Sequence, residues 1–246
     1  MIKKLTSNRF WVKYWSSELV GILVKKRPYF SRLLEQYIVR YQVKSFIEIG
    51  GFPGIYPYYL SDKLSLSCSL IDTVVDFATL DRVAEFYSCK RNAIDIIKTD
   101  FFKYKPHKKY DLVFSSGFIE HFEDVKKVID LHLRYVKKGK VIILTIPNYL
   151  GLNGYLQKLF SFDHFETHNL RAMDIQYLNL LLSEFKIDNF NIFRYGNSGV
   201  WFENLASRPF YLKLLVYFFF ALKFPLKLLN INSRLLSPYV IITIIK

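Results

Sequence analysis

The chain has 246 residues, of which 51% are hydrophobic and 18% aromatic, which excludes a disordered or fibrous protein and is enough for a full globular core. Its formal net charge of +14 favours a phosphate-bearing partner or surface, such as nucleic acid, lipid headgroups or a pyrophosphate-linked substrate. The two cysteines, Cys68 and Cys89, have neither disulfide-type nor metal-type spacing, which predicts a reducing, cytoplasmic setting.

The first predicted elements are helices. From Ser16 to Val43 apolar residues recur at helical spacing with an interruption at Pro28, which predicts two helices. The longest apolar run near the start, Leu19 to Val24, is too short for a signal sequence, so we expect no export. Residues 1–44 are therefore predicted to form an N-terminal helical extension.

Short β-branched runs then alternate with helical stretches, which is typical of a doubly wound α/β domain with a parallel sheet. Strands are predicted at 45–49, 66–71, 94–98, 112–114, 141–145, about 187–193 and 239–245, and helices at 58–62, 79–87, 124–135 and 173–185. The fold class expected over residues 45–246 is Rossmann-like α/β, with a mostly parallel seven-stranded sheet.

The segment from Arg208 to Leu229 is apolar and aromatic. Its longest charge-free stretch, Leu214 to Leu222, is far shorter than the ~20 residues that span a bilayer. We predict that residues 208–236 form an apolar, basic helical insertion before the last strand, with a kink at Pro225.

Three lysines give this predicted helix a narrow basic face. Lys213, Lys223 and Lys227 fall within about 80° of arc on a helical wheel, as in a helix that lies on a membrane surface. Together with the net charge this favours an anionic membrane as partner. Packing on the domain itself, or on a second subunit of an oligomer, is the alternative.

Polar residues follow several of the predicted strands. In an open parallel sheet, ligands bind outside the carboxyl ends of the strands. A glycine-rich turn follows the first strand, where backbone amides can approach a cofactor. Asp72 ends the second strand and could accept both ribose hydroxyls, and Asp100 follows the third. Either acid alone would also fit a helix cap or a solvated loop.

Taken together, these residues resemble the class I S-adenosylmethionine-dependent methyltransferase family. Glu48, Gly50 and Gly54 match its E-x-G-x-G-x-G motif, with Phe52 at the middle glycine. The block Tyr110 to Asp124 is similar to F-D-x-V-x-s-x-x-x-x-E-H-x-x-D, and the stretch from Leu133 resembles the helix, K-P-G-G turn and fifth strand that follow. The resemblance covers about two thirds of the chain and implies S-adenosylmethionine as cofactor.

The resemblance also implies the site residues. Phe52 either pushes the methionine end of the cofactor outward or points to solvent. His121 is expected to be the catalytic base, with a structural role in the turn as the alternative. The cofactor-binding residues implied are Glu48, Gly50, Gly51, Gly54, Asp72, Asp100, Phe101 and Ser116.

A polar segment, Asp163 to His168, is expected to line the acceptor site, with His164 and His168 as contacts. Its spacing matches no metal motif, and no metal is predicted. The function expected is methylation of a small-molecule or lipid-linked acceptor, at a hydroxyl, in the cytoplasm or on the inner face of the membrane. An RNA methyltransferase and a non-catalytic, membrane-associated adaptor are the alternatives, although the dispersed basic residues make nucleic acid the weaker partner.

Overall fold

A computed structural model describes residues 3–15, 21, 24–185, 187, 189–202, 205–229 and 231–246. The strands are β1 (Ser45–Ile49), β2 (Ser67–Asp72), β3 (Ile94–Lys98), β4 (Tyr110–Ser116), β5 (Val136–Pro147), β6 (Phe190–Tyr195) and β7 (Tyr239–Ile245). The α-helices are α1 (Asn8–Tyr14), α2 (Ser31–Arg40), α3 (Ile55–Leu64), α4 (Phe77–Phe86), α5 (Val125–Tyr135), α6 (Leu152–Phe160), α7 (Phe162–Phe165), α8 (Ile175–Ser183) and α9 (Phe210–Leu228).

The seven strands form one mixed sheet in the order β3-β2-β1-β4-β5-β7-β6. Strand β1 pairs in parallel with β2 and β4, and β2 pairs in parallel with β3. Every residue of β1 after Ser45 is buried, because a central parallel strand is covered on both faces. The predicted Rossmann-like α/β fold is confirmed.

The N-terminal prediction is confirmed in part. The second predicted helix is α2, which buries Leu33, Leu34 and Ile38. The first falls largely on residues 16–20 and 22–23, which lie outside the described residues. The sequence argument missed α1, which begins after Ser7, whose hydroxyl accepts the N–H of Phe10. The division into a 1–44 extension and a 45–246 domain stays a prediction.

Strand β5 is longer than predicted. It begins at Val136 rather than at Val141 and includes Gly139, which the resemblance places in a turn. The N–H of Gly139 donates to the carbonyl of Lys246, and the N–H of Lys246 donates to the carbonyl of Lys140. These hydrogen bonds to Lys246 thus satisfy the Gly139 N–H and the Lys140 carbonyl, which would be bonded to water in an exposed turn.

Contacts divide the chain into two compact units. The first, here the β1–β4 unit, comprises residues 6–118, 127–144 and 244–246 and contains β1 to β4. The second, here the histidine unit, comprises residues 1–5, 119–126 and 145–243 and contains β6 and α6 to α9.

The apolar segment of the histidine unit is the helix α9, which continues past Pro225 to Leu228. Leu212 and Val216 of α9 form a small hydrophobic core with Leu156 of α6 and with Val200 and Phe202, which precede α9 in the chain. Most of its aromatic side chains remain exposed, such as Phe210 at 73% and Phe224 at 72%. Among the residues described, no helix is both long and apolar enough to cross a bilayer.

Candidate active site

The turn after β1 requires glycine. Gly50 has φ +65° and Gly54 φ +85°, a left-handed conformation that costs other residues free energy. A Cβ on Gly50 would overlap the ring of Phe118, and one on Gly51 would overlap the Glu48 side chain. The N–H of Gly50 donates to the carbonyl of Ile71 at 2.9 Å. The glycine turn is thus held against the end of β2 with no room for side chains.

Glu48 is a buried acid at this turn. It is 4% exposed, and its Oε2 has no hydrogen-bond partner among the described residues. Burial, and secondarily the charge of Asp72, raise the pKa of Glu48 well above its usual range. A buried carboxylate without a donor is costly, so the site suits a ligand that brings a positive charge.

Asp72 ends β2, as predicted, and organises the same turn. Its Oδ2 accepts the N–H of Phe52 at 3.1 Å and its Oδ1 accepts the N–H of Val74 at 2.9 Å. Each carboxylate oxygen has a further lone pair. The Phe52 ring is 3% exposed and packs edge-to-face on Trp15 at 6.0 Å, so the expectation that it points to solvent is wrong. Its ring is held by the protein's own aromatic packing.

The remaining predicted cofactor residues lie in the same unit. Asp100 is half-buried, and its Oδ1 accepts the N–H of Phe102 at 3.0 Å. Phe101 is 5% exposed and packs in an aromatic cluster with Phe118 and with His132 and Tyr135 of α5. Ser116, the last residue of β4, is half-buried. Packing therefore fixes Phe101, and hydrogen bonding shapes the loop at Asp100.

Asp111, the second residue of the family-like block, lies at the opposite, amino end of β4. Its carboxylate accepts the N–H groups of Lys44 and Ser45 and pairs with Lys137 at 3.1 Å. Burial alone would raise its pKa, but these donors lower the pKa of Asp111 below its usual value. Asp111 thus joins the starts of β1, β4 and β5.

The predicted base, His121, ends a 3-10 turn, Ile119–His121, of the histidine unit. Two segments fix this turn through its carbonyls: the N–H of Leu5 donates to His121, and the N–H of Asn169 donates to Glu120 at 2.7 Å. The His121 Nδ1 lies 2.9 Å from the carbonyl of Thr167. Because a carbonyl only accepts, Nδ1 carries the proton and Nε2 the lone pair.

Three histidines of this unit come together. The ring centroids of His121 and His168 are 4.6 Å apart, and those of His164 and His168 are 4.9 Å apart. Burial lowers the pKa of His121 and of His164 to about 4 and, with the charge of His121, that of His168 to about 2. All three are therefore neutral at pH 7. The two predicted acceptor contacts thus lie beside the predicted base.

Two more residues belong to this cluster and were missed by the sequence argument. Glu120 is fully buried, and neither carboxylate oxygen has a hydrogen-bond partner within the described part of the chain. Burial raises the pKa of Glu120 to about 8. Tyr149 is 4% exposed, and its ring lies 4.7 Å from that of His168. The E-H pair in the family-like block was the available signal for Glu120, whereas Tyr149 follows the P-N pair that ends β5.

Known protein families and solved structures resemble this chain. Residues 24–189 match a family model described as a methyltransferase domain, whereas no curated protein matches the chain. A SAM-dependent methyltransferase from Archaeoglobus fulgidus is 17% identical, with a TM-score of 0.59, and the match covers 98% of this chain and 100% of that one.

Two other solved structures have the same fold. The plantazolicin methyltransferase BpumL, in complex with a monoazolic desmethylPZN analog and SAH, is 17% identical over 96% of this chain and 92% of that one, with a TM-score of 0.58. A Haemonchus contortus phosphoethanolamine N-methyltransferase 2, in complex with phosphomonomethylethanolamine and S-adenosylhomocysteine, is 12% identical over 89% and 53%, with a TM-score of 0.59.

The family model covers well over half of the chain, and the solved methyltransferases share its overall fold. The enzyme class and the cofactor that the sequence predicts are thereby confirmed. The chain belongs to the class I S-adenosylmethionine-dependent methyltransferases.

Proposed function

We propose that this methyltransferase acts on a hydroxyl of a small-molecule or lipid-linked acceptor, at an anionic membrane surface. The proposed binding mode of the cofactor rests on one observation, the buried Glu48 Oε2, which has no hydrogen-bond partner among the described residues and lies beside Asp72. S-adenosylmethionine carries an ammonium and a sulfonium, and a buried acid beside a half-buried one favours a cationic ligand.

The residues proposed to hold the cofactor lie at or just after the ends of the strands of the β1–β4 unit. In this proposal Glu48 faces the amino end of the cofactor and Asp72 takes the ribose hydroxyls. Asp100 accepts from the adenine amine, while Phe101 gives the adenine an apolar edge. The glycine turn is proposed to bring its backbone close to the ligand, because a Cβ at Gly50 or Gly51 would overlap Phe118 or Glu48. The residues proposed to hold the cofactor are Glu48, Gly50, Gly51, Gly54, Asp72, Asp100, Phe101 and Ser116.

His121 is proposed to accept the proton of the acceptor hydroxyl. The bound cofactor supplies an electrophilic methyl group on a positively charged sulfur, so the chain has to align the acceptor and remove a proton. A hydroxyl oxygen becomes strongly acidic as it gains the methyl group, so even an imidazole whose pKa is about 4 suffices. His164 and His168 lie beside His121 and are proposed to contact the acceptor.

The membrane part of the proposal comes from α9. Phe218 is 61% exposed and Phe224 72% exposed, on a helix that also carries Lys213, Lys223 and Lys227. Exposed aromatic rings with flanking lysines are the composition of helices that lie in the interface of anionic bilayers. An acceptor attached to a lipid would be presented at that surface.

Cofactor binding by the assigned residues is tested by calorimetric titration of the full chain, in mild detergent, with S-adenosylmethionine and S-adenosylhomocysteine. Saturable binding that weakens at least tenfold in Asp72→Asn is expected, because the amide offers one acceptor oxygen in place of two. Asp95→Asn is the matched control, since this acid lies on β3 and pairs with Lys108 instead. Equal affinity in all three proteins would remove Asp72 from the site.

The membrane proposal is tested by co-sedimentation with vesicles of phosphatidylglycerol and phosphatidylcholine. Phe218→Ser with Phe224→Ser is expected to reduce the bound fraction strongly. Leu180→Ser removes an equally exposed side chain from α8, 68% exposed, and should leave binding unchanged. Vesicle binding that survives the double substitution would exclude α9 as the contact.

The RNA methyltransferase is the second candidate, favoured by the net charge of +14. Phosphate contacts would make its binding to RNA steeply salt-dependent. A gel shift with total RNA separates the two candidates. A salt-sensitive gel shift without binding to vesicles would favour the RNA methyltransferase. Vesicle binding without a gel shift would support the membrane-surface enzyme.

A further inference from the structure

We infer that Glu120, His121 and His168 form a binding site for one divalent transition-metal ion, of which Zn²⁺ fits best. One donor atom from each of the three residues lies within 4.8 Å of the other two. Two imidazoles and one carboxylate are the protein ligands of a common type of zinc site with an open position. All three side chains are buried, so they form a built pocket and not a cluster of surface acids.

Glu120 points to a ligand independently of this spacing. The side chain is 0% exposed, and both of its oxygens have no hydrogen-bond partner among the described residues. Two unsatisfied carboxylate oxygens in a buried position cost several times what one lost hydrogen bond costs. A cation between Glu120 and the two imidazoles would satisfy both oxygens.

The histidines are oriented as metal ligands usually are. The Nδ1 atoms of His121 and His168 each lie 2.9 Å from a backbone carbonyl, those of Thr167 and His164. A metal-binding imidazole typically donates its outer N–H to such an acceptor, which fixes the ring and leaves the other nitrogen for the metal. Both rings therefore offer Nε2 to the ion.

The two segments that supply the ligands are joined by hydrogen bonds. Asn169 follows His168, and its N–H donates to the carbonyl of Glu120 at 2.7 Å, while its amide donates to the carbonyl of Phe122 at 2.9 Å. Neighbouring donor atoms of a tetrahedral zinc site are about 3.4 Å apart, since each bond is about 2.1 Å long. The three donor atoms already lie within 4.8 Å of one another. Side-chain movements of little more than about 1 Å would therefore bring them to the spacing of a zinc site.

The inference does not depend on the proposed acceptor. A coordinated ion would occupy the Nε2 that the base role of His121 uses, and it would activate a hydroxyl by coordination. In the metal-loaded chain, His121 is therefore a ligand. In the metal-free chain it remains the proposed base.

The test is titration of the full chain, stripped with a chelator and dialysed, with Zn²⁺ by calorimetry and with Co²⁺ by visible absorption. One ion per chain is expected, with the intense visible bands of a four- or five-coordinate Co²⁺ site. His168→Gln should abolish these bands, and Glu120→Gln should weaken Zn²⁺ binding about a hundredfold. His107→Gln, in which an exposed histidine is replaced, should change neither.

Binding of S-adenosylhomocysteine is measured on the same samples. Retained cofactor binding shows that each variant is folded, so a loss of metal can be assigned to the ligand set. Absence of a stoichiometric site in the unmodified chain, or a site that persists in both Glu120→Gln and His168→Gln, would overturn the inference. Neither result would bear on the assignment of the cofactor residues.

Discussion

At the residue scale, the glycine turn after β1 combines one steric and one electrostatic constraint. Gly50 combines a positive φ with the ring of Phe118 at the position that a Cβ would occupy. Glu48 is buried close enough to Asp72 for that charge to raise its pKa. The first constraint decides which residue can occupy the position, and the second decides which ligand charge the turn favours.

Gly50→Ala is expected to unfold more readily than the unmodified chain and to lose binding of S-adenosylhomocysteine. Gly139→Ala is the matched control, because Gly139 also has a positive φ, of +73°, but nothing lies within 4 Å of its Cβ position. The backbone strain common to both costs about 1 kcal/mol. Denaturant unfolding should show a larger loss for Gly50→Ala, since overlap with Phe118 is added. Equal losses would mean that the Phe118 ring moves aside freely.

Binding of S-adenosylmethionine is expected to release a proton from Glu48. The raised pKa leaves part of the free protein protonated at this carboxyl, and a cationic ligand favours the ionised form. Affinity should therefore rise with pH across the range in which free Glu48 titrates. Calorimetry in two buffers of different ionisation enthalpy measures the proton directly. In Glu48→Gln the buffer dependence should vanish, and its persistence would assign the proton to another group.

At the element scale, α5 shows how burial of a polar side chain is made tolerable. His132 is fully buried, donates from Nδ1 to the carbonyl of Val128, and accepts the hydroxyl proton of Ser115 at Nε2. Both ring nitrogens are thus satisfied in the neutral form. Burial lowers the pKa of His132 to about 4, so α5 is held against β4 by a group that acid would disrupt.

This arrangement predicts an acid-sensitive stability. The folded pKa of His132 lies below the unfolded value of about 6.5, so the unfolded chain binds the proton more readily. The contribution of neutral His132 to the free energy of unfolding is complete above about pH 6.5 and is lost as the pH falls toward about 4. Between pH 7 and pH 5 the unmodified chain should lose about 2 kcal/mol more unfolding free energy than His132→Gln. Parallel pH profiles from urea unfolding would contradict this.

At the scale of the whole molecule, the excess of positive charge and the aromatic helix α9 have to be considered together. A net charge of +14 draws the chain toward any polyanion, whereas exposed aromatic rings favour only a surface with an apolar interior. The net charge therefore determines the electrostatic attraction to an anionic surface, and α9 determines which kind of surface is bound.

Binding to anionic vesicles is expected to fall about a hundredfold between 0.1 M and 1 M salt. The three lysines of α9 contribute about 1 kcal/mol each near such a surface, and the screening length shortens from about 10 Å to about 3 Å. Tryptophan fluorescence or co-sedimentation at several salt concentrations measures the loss. Vesicles of phosphatidylcholine alone are the control. A bound fraction that does not change with salt would show that the lysines do not face the bilayer.

The sequence by itself determined the fold and the enzyme class. Short β-branched runs that alternate with helical stretches predicted the sheet, and the acids Asp72 and Asp100 at the ends of strands pointed to the cofactor, because both are local features of the chain. It also assigned His164 and His168 to the acceptor site, but their position beside His121 is known only from the structure. The extent of β5 was underestimated, because its first residues pair with Lys246, more than a hundred residues away along the chain.

Only the tertiary structure decided the state of the side chains. Phe52 is buried because Trp15 packs against it, and Glu120 is a candidate ligand because it is buried beside His121 and His168, which lies 48 residues further along the chain. Burial and pKa depend on neighbours that folding brings together from distant segments. Local sequence patterns do not specify those neighbours. The sequence could therefore locate the site but could not predict the protonation states of its side chains.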